Sequence, residues 1–330
     1  MHGSWNPLWV ANVLAACFAR YAFAQAWTEL SPIPAGKLQE HITLSTDTDQ
    51  IITFGGLLND GPSTDAVFIY NISGNSWETG NPIPAALNHP NAVAYEEKIY
   101  VLGGLTGESG WPATSSAWVY TPANNYWATL AAMPEEVARG SAASAAFNGT
   151  LFIAGGIPRS SGRTVATVSA YDISYNQWID LPAAAARLPG ARDHAAYAQV
   201  GSKFYVIGGR ENGVTAVKNT VFILDLANLE AGWKTSPAIM PTARGGLVAA
   251  AIGTKIYTFG GEGNPAPNTR GVFNQTEVYD TVTDSWSIQP AMKLPRHGTS
   301  AVAVGGKIYI PGGGIVQGAG GTAAFDVFVP

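Results

Sequence analysis

Short runs of β-branched and aromatic residues, each closed by two glycines, recur along the chain. They are Ile51-Ile52-Thr53-Phe54, Ile99-Tyr100-Val101-Leu102, Leu151-Phe152-Ile153-Ala154, Phe204-Tyr205-Val206-Ile207, Ile256-Tyr257-Thr258-Phe259 and Ile308-Tyr309-Ile310-Pro311. A short apolar run stopped by glycine predicts a buried strand. The diglycines stand at 55–56, 103–104, 155–156, 208–209, 260–261 and 312–313, so the steps are 48, 52, 53, 52 and 52 residues. A period near fifty is the mark of a repeat array. It overrides the two domains that a length of 330 residues alone would suggest.

A second strand within each period ends in an aromatic: Phe68-Ile69-Tyr70, Trp118-Val119-Tyr120, Ala170-Tyr171-Asp172 and Val278-Tyr279-Asp280. Seven residues after each tyrosine stands a tryptophan, at Trp77, Trp127, Trp178 and Trp286. The spacers hold polar turn residues (Asn75-Ser76, Asn124-Asn125, Asp284-Ser285), which makes each pair of strands a hairpin. The fourth repeat departs, with Leu224-Asp225 and then Trp233. A proline-bearing linker follows each tryptophan, and an alanine- and valine-rich strand then leads to the next diglycine. Four strands per fifty residues is the blade of a β-propeller.

Diglycine, tyrosine and tryptophan at these offsets resemble the kelch repeat, six times over, across residues 26 to 330. The resemblance implies an all-β fold, a six-bladed kelch β-propeller over residues 25–330. The sixth unit stops at Ala324-Phe325-Asp326-Val327-Phe328 and has no tryptophan strand. The missing strand matches Trp27-Thr28-Glu29-Leu30-Ser31-Pro32-Ile33-Pro34 at the other end of the chain. The N-terminal strand is therefore expected to complete the last blade, leaving no open sheet edge.

Charged residues make up only 12% and hydrophobic residues 46%, as suits strands buried on both faces. A net charge of −5 without a lysine or arginine run excludes the electrostatic footprint of nucleic-acid binding. No apolar stretch reaches the ~18 residues of a membrane span. Residues 1–24 read as a signal peptide: an apolar stretch from Leu8 to Ala19, then Ala22-Phe23-Ala24 before Gln25. No lysine or arginine precedes that stretch, and Arg20 interrupts the approach to the cleavage site. The only cysteine, Cys17, lies in this leader. Sequons at Asn71, Asn148 and Asn274 agree with a secreted, glycosylated monomer.

Counting back from the diglycines exposes a column of candidate chemistry. Sixteen residues before each pair stand Gln39, Leu87, Arg139, Arg192, Arg244 and Arg296. Two residues on stand His41, His89, Ser141, His194, Gly246 and Gly298; between them lie Glu40, Asn88, Gly140, Asp193, Gly245 and His297. This segment enters the innermost strand, so the four arginines, with His89 and His194, should ring one mouth of the channel. Arg210 and Glu262, just after their diglycines, should share the rim. A positive rim suits a carboxylate or acidic sugar, held by bidentate hydrogen bonds. The kelch resemblance also allows the arginines to bond loop carbonyls between blades.

The expected function is thus binding, of a protein, a glycan or a small acidic ligand, rather than catalysis. The alternative is an enzyme acting on a sugar or small acidic metabolite through Glu262 with Arg210, Arg192 or Arg244; sialate mutarotases resemble the chain in inventory. No cofactor is expected. The column histidines His41, His89 and His194 invite a metal, but their spread over separate blades argues against shared coordination. Asp47-Thr48-Asp49 reads as a hairpin turn, lacking the further ligands of a calcium loop. Galactose-oxidase-type enzymes resemble the chain in fold, yet their cross-linked cysteine has no counterpart after residue 17. The chain also lacks GxSxG, HExxH, CxxC and P-loop motifs, and the Glu-xxx-Asp-xxx-His motif of specifier proteins.

Overall fold

The structure, a computed structural model, describes residues 26–158 and 163–330. Six four-stranded antiparallel sheets form the blades of a propeller. The first blade runs outward through Ile42–Leu44, Gln50–Phe54, Val67–Asn71 and Ser76–Thr79. The innermost strands, among them Ala143–Phe147, Ala196–Val200 and Val248–Ile252, neighbour one another around the channel. They are rich in alanine because six strands converging on one axis leave little room for larger side chains. The leader expected over residues 1–24, with Cys17, lies outside the described residues.

The sixth blade closes as the sequence predicts. Ala26–Glu29 pairs with Phe325–Val329, setting Trp27 opposite Phe328. Trp27 also meets the edge of Phe259 from the fifth blade, ring centroids 5.6 Å apart. Closure is therefore a packed seam as well as a hydrogen-bonded one.

Each repeat tryptophan does the same job. The indole N–H donates to a carbonyl of the preceding blade: Trp77 to Ser31 (2.8 Å), Trp127 to Asn81 (3.0 Å), Trp178 to Ala131 (3.1 Å), Trp233 to Ala185 (2.9 Å) and Trp286 to Ala238 (3.0 Å). Trp27 donates to Pro290 at 3.1 Å and so completes the circuit. The tyrosines add a second tie. Tyr120 donates its hydroxyl to Asn125 Oδ1 at 2.7 Å, and the same oxygen accepts the Asn81 N–H at 2.7 Å. Tyr70 with Asn75 and Tyr171 with Asn176 repeat the arrangement. These asparagines hold positive φ at the hairpin turn, a conformation asparagine tolerates better than most residues. The fourth blade has Leu224 in place of the tyrosine and a short 3-10 turn at Leu229–Ala231, yet Trp233 still reaches its carbonyl.

The diglycines are spacers of zero width. Gly156 has φ +103°, and a Cβ there would stand 2.6 Å from the Gly140 carbonyl oxygen. Its N–H instead donates to the Arg192 carbonyl of the next blade at 2.7 Å. Only glycine permits both the conformation and the approach.

Candidate functional site

Six residues at the entrance to the innermost strands form a closed backbone ring. Glu40 N–H donates to Gly298, His89 to Glu40, Ser141 to His89, His194 to Ser141, Gly246 to His194 and Gly298 to Gly246, at 2.6–3.3 Å. All six have positive φ. This collar draws the blades close together at the axis. It also corrects the column. The first blade pairs Ile42 with Phe54, thirteen residues before Gly55, whereas the third pairs Ala143 with Ala154, twelve before Gly155. One extra residue in the first hairpin moves Glu40 into the collar and His41 out of it. His41 instead points its Nε2 at the Pro311 carbonyl, 3.0 Å away.

The arginine column does not ring the mouth. Arg139, Arg244 and Arg296 are buried, with their guanidinium groups turned into their own blades. Arg139 donates to the carbonyls of Gly155, Val137 and Ile153 at 2.7–3.0 Å. Arg244 donates to the Gly260 carbonyl at 2.6 Å and pairs with Glu277 at 2.8 Å. Arg296 pairs with Asp326 at 2.8 Å. Arg192 binds the Ala191 carbonyl and the Thr220 hydroxyl, both at 2.6 Å, and lies over the Phe222 ring. A regular strand would put residues two apart on one face, but the positive φ of each collar residue breaks that alternation, so the arginine two residues before it leaves in another direction. Carbonyls freed by the diglycines supply acceptors that a guanidinium fork fits.

Arg210, Glu262, His89 and His194 do converge, joined by three residues that the sequence placed between the two columns: Glu40, Asp193 and His297. The cause is a short ribbon in every blade. The residue after each diglycine pairs with the residue preceding the collar: Leu57 with Gln39, Leu105 with Asn88, Ile157 with Gly140, Arg210 with Asp193, Glu262 with Gly245 and Gly314 with His297. Arg210 thereby reaches Asp193 (Nε to Oδ1, 2.8 Å), Glu262 and His194 Nε2 (3.0 Å). His89 Nε2 lies 3.1 Å from Glu40 Oε2, and the His89 and His194 rings are 4.8 Å apart, centroid to centroid. The expectation that separate blades keep these histidines apart therefore fails, because the collar is narrower than a blade.

The electrostatics differ from the expected positive rim. Glu40, Asp193 and Glu262 face one guanidinium, Arg210. Burial alone would raise the Glu40 carboxyl; His89, His194, His297 and Arg210 outweigh it and hold it at about 2. Burial likewise opposes ionisation of Asp193, but hydrogen bonds from His194 and Thr164 and the Arg210 charge hold it well below the usual range. Burial pushes His89 down to about 4. Below the collar a cavity of about 120 Å³ is lined by Glu40, His89 and His194 on one side and by Ile42, Tyr197 and Leu247 among its apolar walls. Above it stand loops such as 106–112, where Trp111 is 37% exposed and packs on His89, 5.6 Å between centroids.

The three sequons lie away from this site. Asn148 and Asn274 are exposed. Asn71 is half-buried, its amide bonded to Asp49 (3.1 Å) and its carbonyl to the Gly74 N–H (2.5 Å). Among the described residues no helix is long and apolar enough to cross a membrane.

The family model for the KLHDC2/KLHL20/DRC7 Kelch-repeats domain matches residues 24–197 and 141–328. The Kelch-like protein terF of Aspergillus terreus is 39% identical over 303 residues, 88% of this chain and 64% of that protein. Beta-scruin of Limulus polyphemus is 26% identical over 301 residues, 87% of this chain and 32% of that protein. Kelch domain-containing protein 3 of Bos taurus is 26% identical over 254 residues, 70% of this chain and 64% of that protein. The chain thus spans less than two thirds of each of these relatives.

Proposed function

This chain belongs to the kelch-repeat propeller family, and from that premise we propose that it works by binding a protein partner across the loops above the collar. Kelch propellers generally mediate protein interactions. The observation that carries the reading is Trp111: a large aromatic left exposed on a positive-φ loop residue, seated against the buried collar. Aromatic residues so placed are typical anchors of an interface. The net-negative cluster beneath it suits a basic or neutral partner group better than the acidic ligand first expected.

The test is proximity labelling with the full chain and two variants. Trp111→Ala should lose specific partners roughly tenfold or more, as loss of a hot-spot residue implies. Val282→Ser, at an exposed turn of the fifth blade's outer hairpin, should keep them. Recovery of the same partners by Trp111→Ala would end this reading. A catalytic reading stands second, favoured by buried histidines and carboxylates converging on a cavity.

We also propose export, with the mature chain starting at Gln25. The apolar stretch and small-residue site before it support this, as does the exposure of Asn148 and Asn274. Mass spectrometry of protein from a secretory host should find the new terminus, with glycans at those two positions and not at Asn71. An intact leader on the secreted or retained protein would overturn it.

A further inference from the structure

We propose that Glu40, His89 and His194 bind one divalent first-row transition-metal ion, zinc foremost, at the collar. Their candidate donor atoms all lie within 4.8 Å of one another. Closing them onto an ion about 2.1 Å from each donor moves each by under about 1 Å, within side-chain reach. Two nitrogens and a carboxylate oxygen suit zinc or ferrous iron, whereas calcium and magnesium prefer all-oxygen shells.

The surroundings of the two imidazoles are those of metal ligands. His89 donates from Nδ1 to Asn88 Oδ1 at 2.5 Å, and Asn88 is fixed in turn by its amide on the Ser63 hydroxyl at 2.7 Å. His194 donates from Nδ1 to Asp193 Oδ1 at 2.6 Å. Its Nε2 accepts from Arg210, a group that can only donate, so the lone pair sits on Nε2. Both rings are thus held by Nδ1, which leaves Nε2 facing Glu40 in His89 and Arg210 in His194. That Nδ1 hydrogen bond is the usual support of a metal-bound histidine.

Three further observations point to a cation site. His297 is fully buried and donates from Nε2 to the Val316 carbonyl at 2.8 Å. Its Nδ1 has no hydrogen-bond partner among the described residues and stands 3.7 Å from Glu40 Oε1 and 3.6 Å from Glu262 Oε2. Next, three carboxylates face a single guanidinium, a deficit that one divalent ion removes. Finally, blades five and six fill the collar with Gly246 and Gly298, the residue its positive φ favours. Blades one to four carry Glu40, His89, Ser141 and His194 there instead, at a conformational cost of about 1–2 kcal/mol each, and three of these four bring a candidate donor.

An ion would displace the Arg210 contact with His194 Nε2; Arg210 keeps Asp193 and Glu262. Three protein donors leave a coordination position open, and the same three side chains line the cavity. The site would therefore present its ion to whatever enters the channel. The ion site stands on the collar side chains and not on the Trp111 contact, and an ion held there removes the negative charge that favours a basic partner group.

The experiment is a cobalt(II) titration of the chelator-treated full chain, read by visible absorption and by displacement with zinc(II). Native protein should show a d–d band saturating at one ion per chain. His89→Gly and His194→Gly put into the collar the residue that blades five and six already use, so folding is preserved; circular dichroism checks it. Each should weaken binding at least tenfold, while Ser141→Gly, a collar change without a donor, stays within about twofold. No band from native protein at millimolar cobalt overturns the proposal. So does native-like binding by either histidine variant.

Discussion

A guanidinium taken out of water has to look for its partners inside the protein, and Arg244 shows the result. Its fork is shared among the Gly260 carbonyl, the Thr258 hydroxyl and Glu277. Removing one member of a buried pair strands the other charge, which typically costs about 3–5 kcal/mol. Arg244→Met should lower the unfolding free energy by that order in urea, and adding Glu277→Leu should recover a good part of it. A loss below about 1 kcal/mol would show that water reaches the pair. His41 makes a different prediction. Burial pushes it down to about 4 from an ordinary 6.5. The unfolded chain then takes up a proton that the folded chain refuses, so stability falls as pH drops from 6.5 towards 4, by at most about 3 kcal/mol. His41→Gln should make the slope of stability against pH shallower across that window. Equal slopes would mean that the folded protein protonates His41 as readily as water does.

At the scale of elements, the repeats were legible because they obey local rules. Glycine pairs report positive φ, tyrosine and tryptophan report the outer hairpin, and the missing sixth tryptophan reported Trp27. The tie between blades is the testable part. Asn125 holds positive φ, accepts the Tyr120 hydroxyl and accepts the Asn81 N–H. Asn125→Ala should cost about 2 kcal/mol, from two lost hydrogen bonds and a strained turn. Thermal unfolding would reveal it, and no change in midpoint would deny the tie. The candidate site was only half legible. Arg210, Glu262, His89 and His194 were placed together from spacing. The arginine column was misdirected because spacing fixes where a residue enters a strand, not which way its side chain leaves. Glu40 was displaced because one extra residue in the first hairpin breaks a count that works in the other five blades.

The whole molecule depends on a strand of four residues. Without 26–34 the chain loses Trp27, its bond to Pro290 and the partner of Phe325–Val329. The melting midpoint should then fall by roughly 10 °C or more, the effect of several kcal/mol in a chain this long. The uncovered edge should also promote aggregation. An unchanged midpoint would show that the seam carries little.

The collar adds a condition of its own. Its last link, Glu40 N–H to the Gly298 carbonyl, joins the first blade to the last. A chain that has made five blades already holds Glu40, His89 and His194 and the four links that run from Glu40 to Gly246, yet lacks the two that Gly298 makes, so its collar is an open arc. The sixth blade turns that arc into a ring and so sets its final radius. Affinity at the channel should therefore rise on completion, and finished molecules should hold an ion more tightly than synthesis intermediates or mis-closed ones.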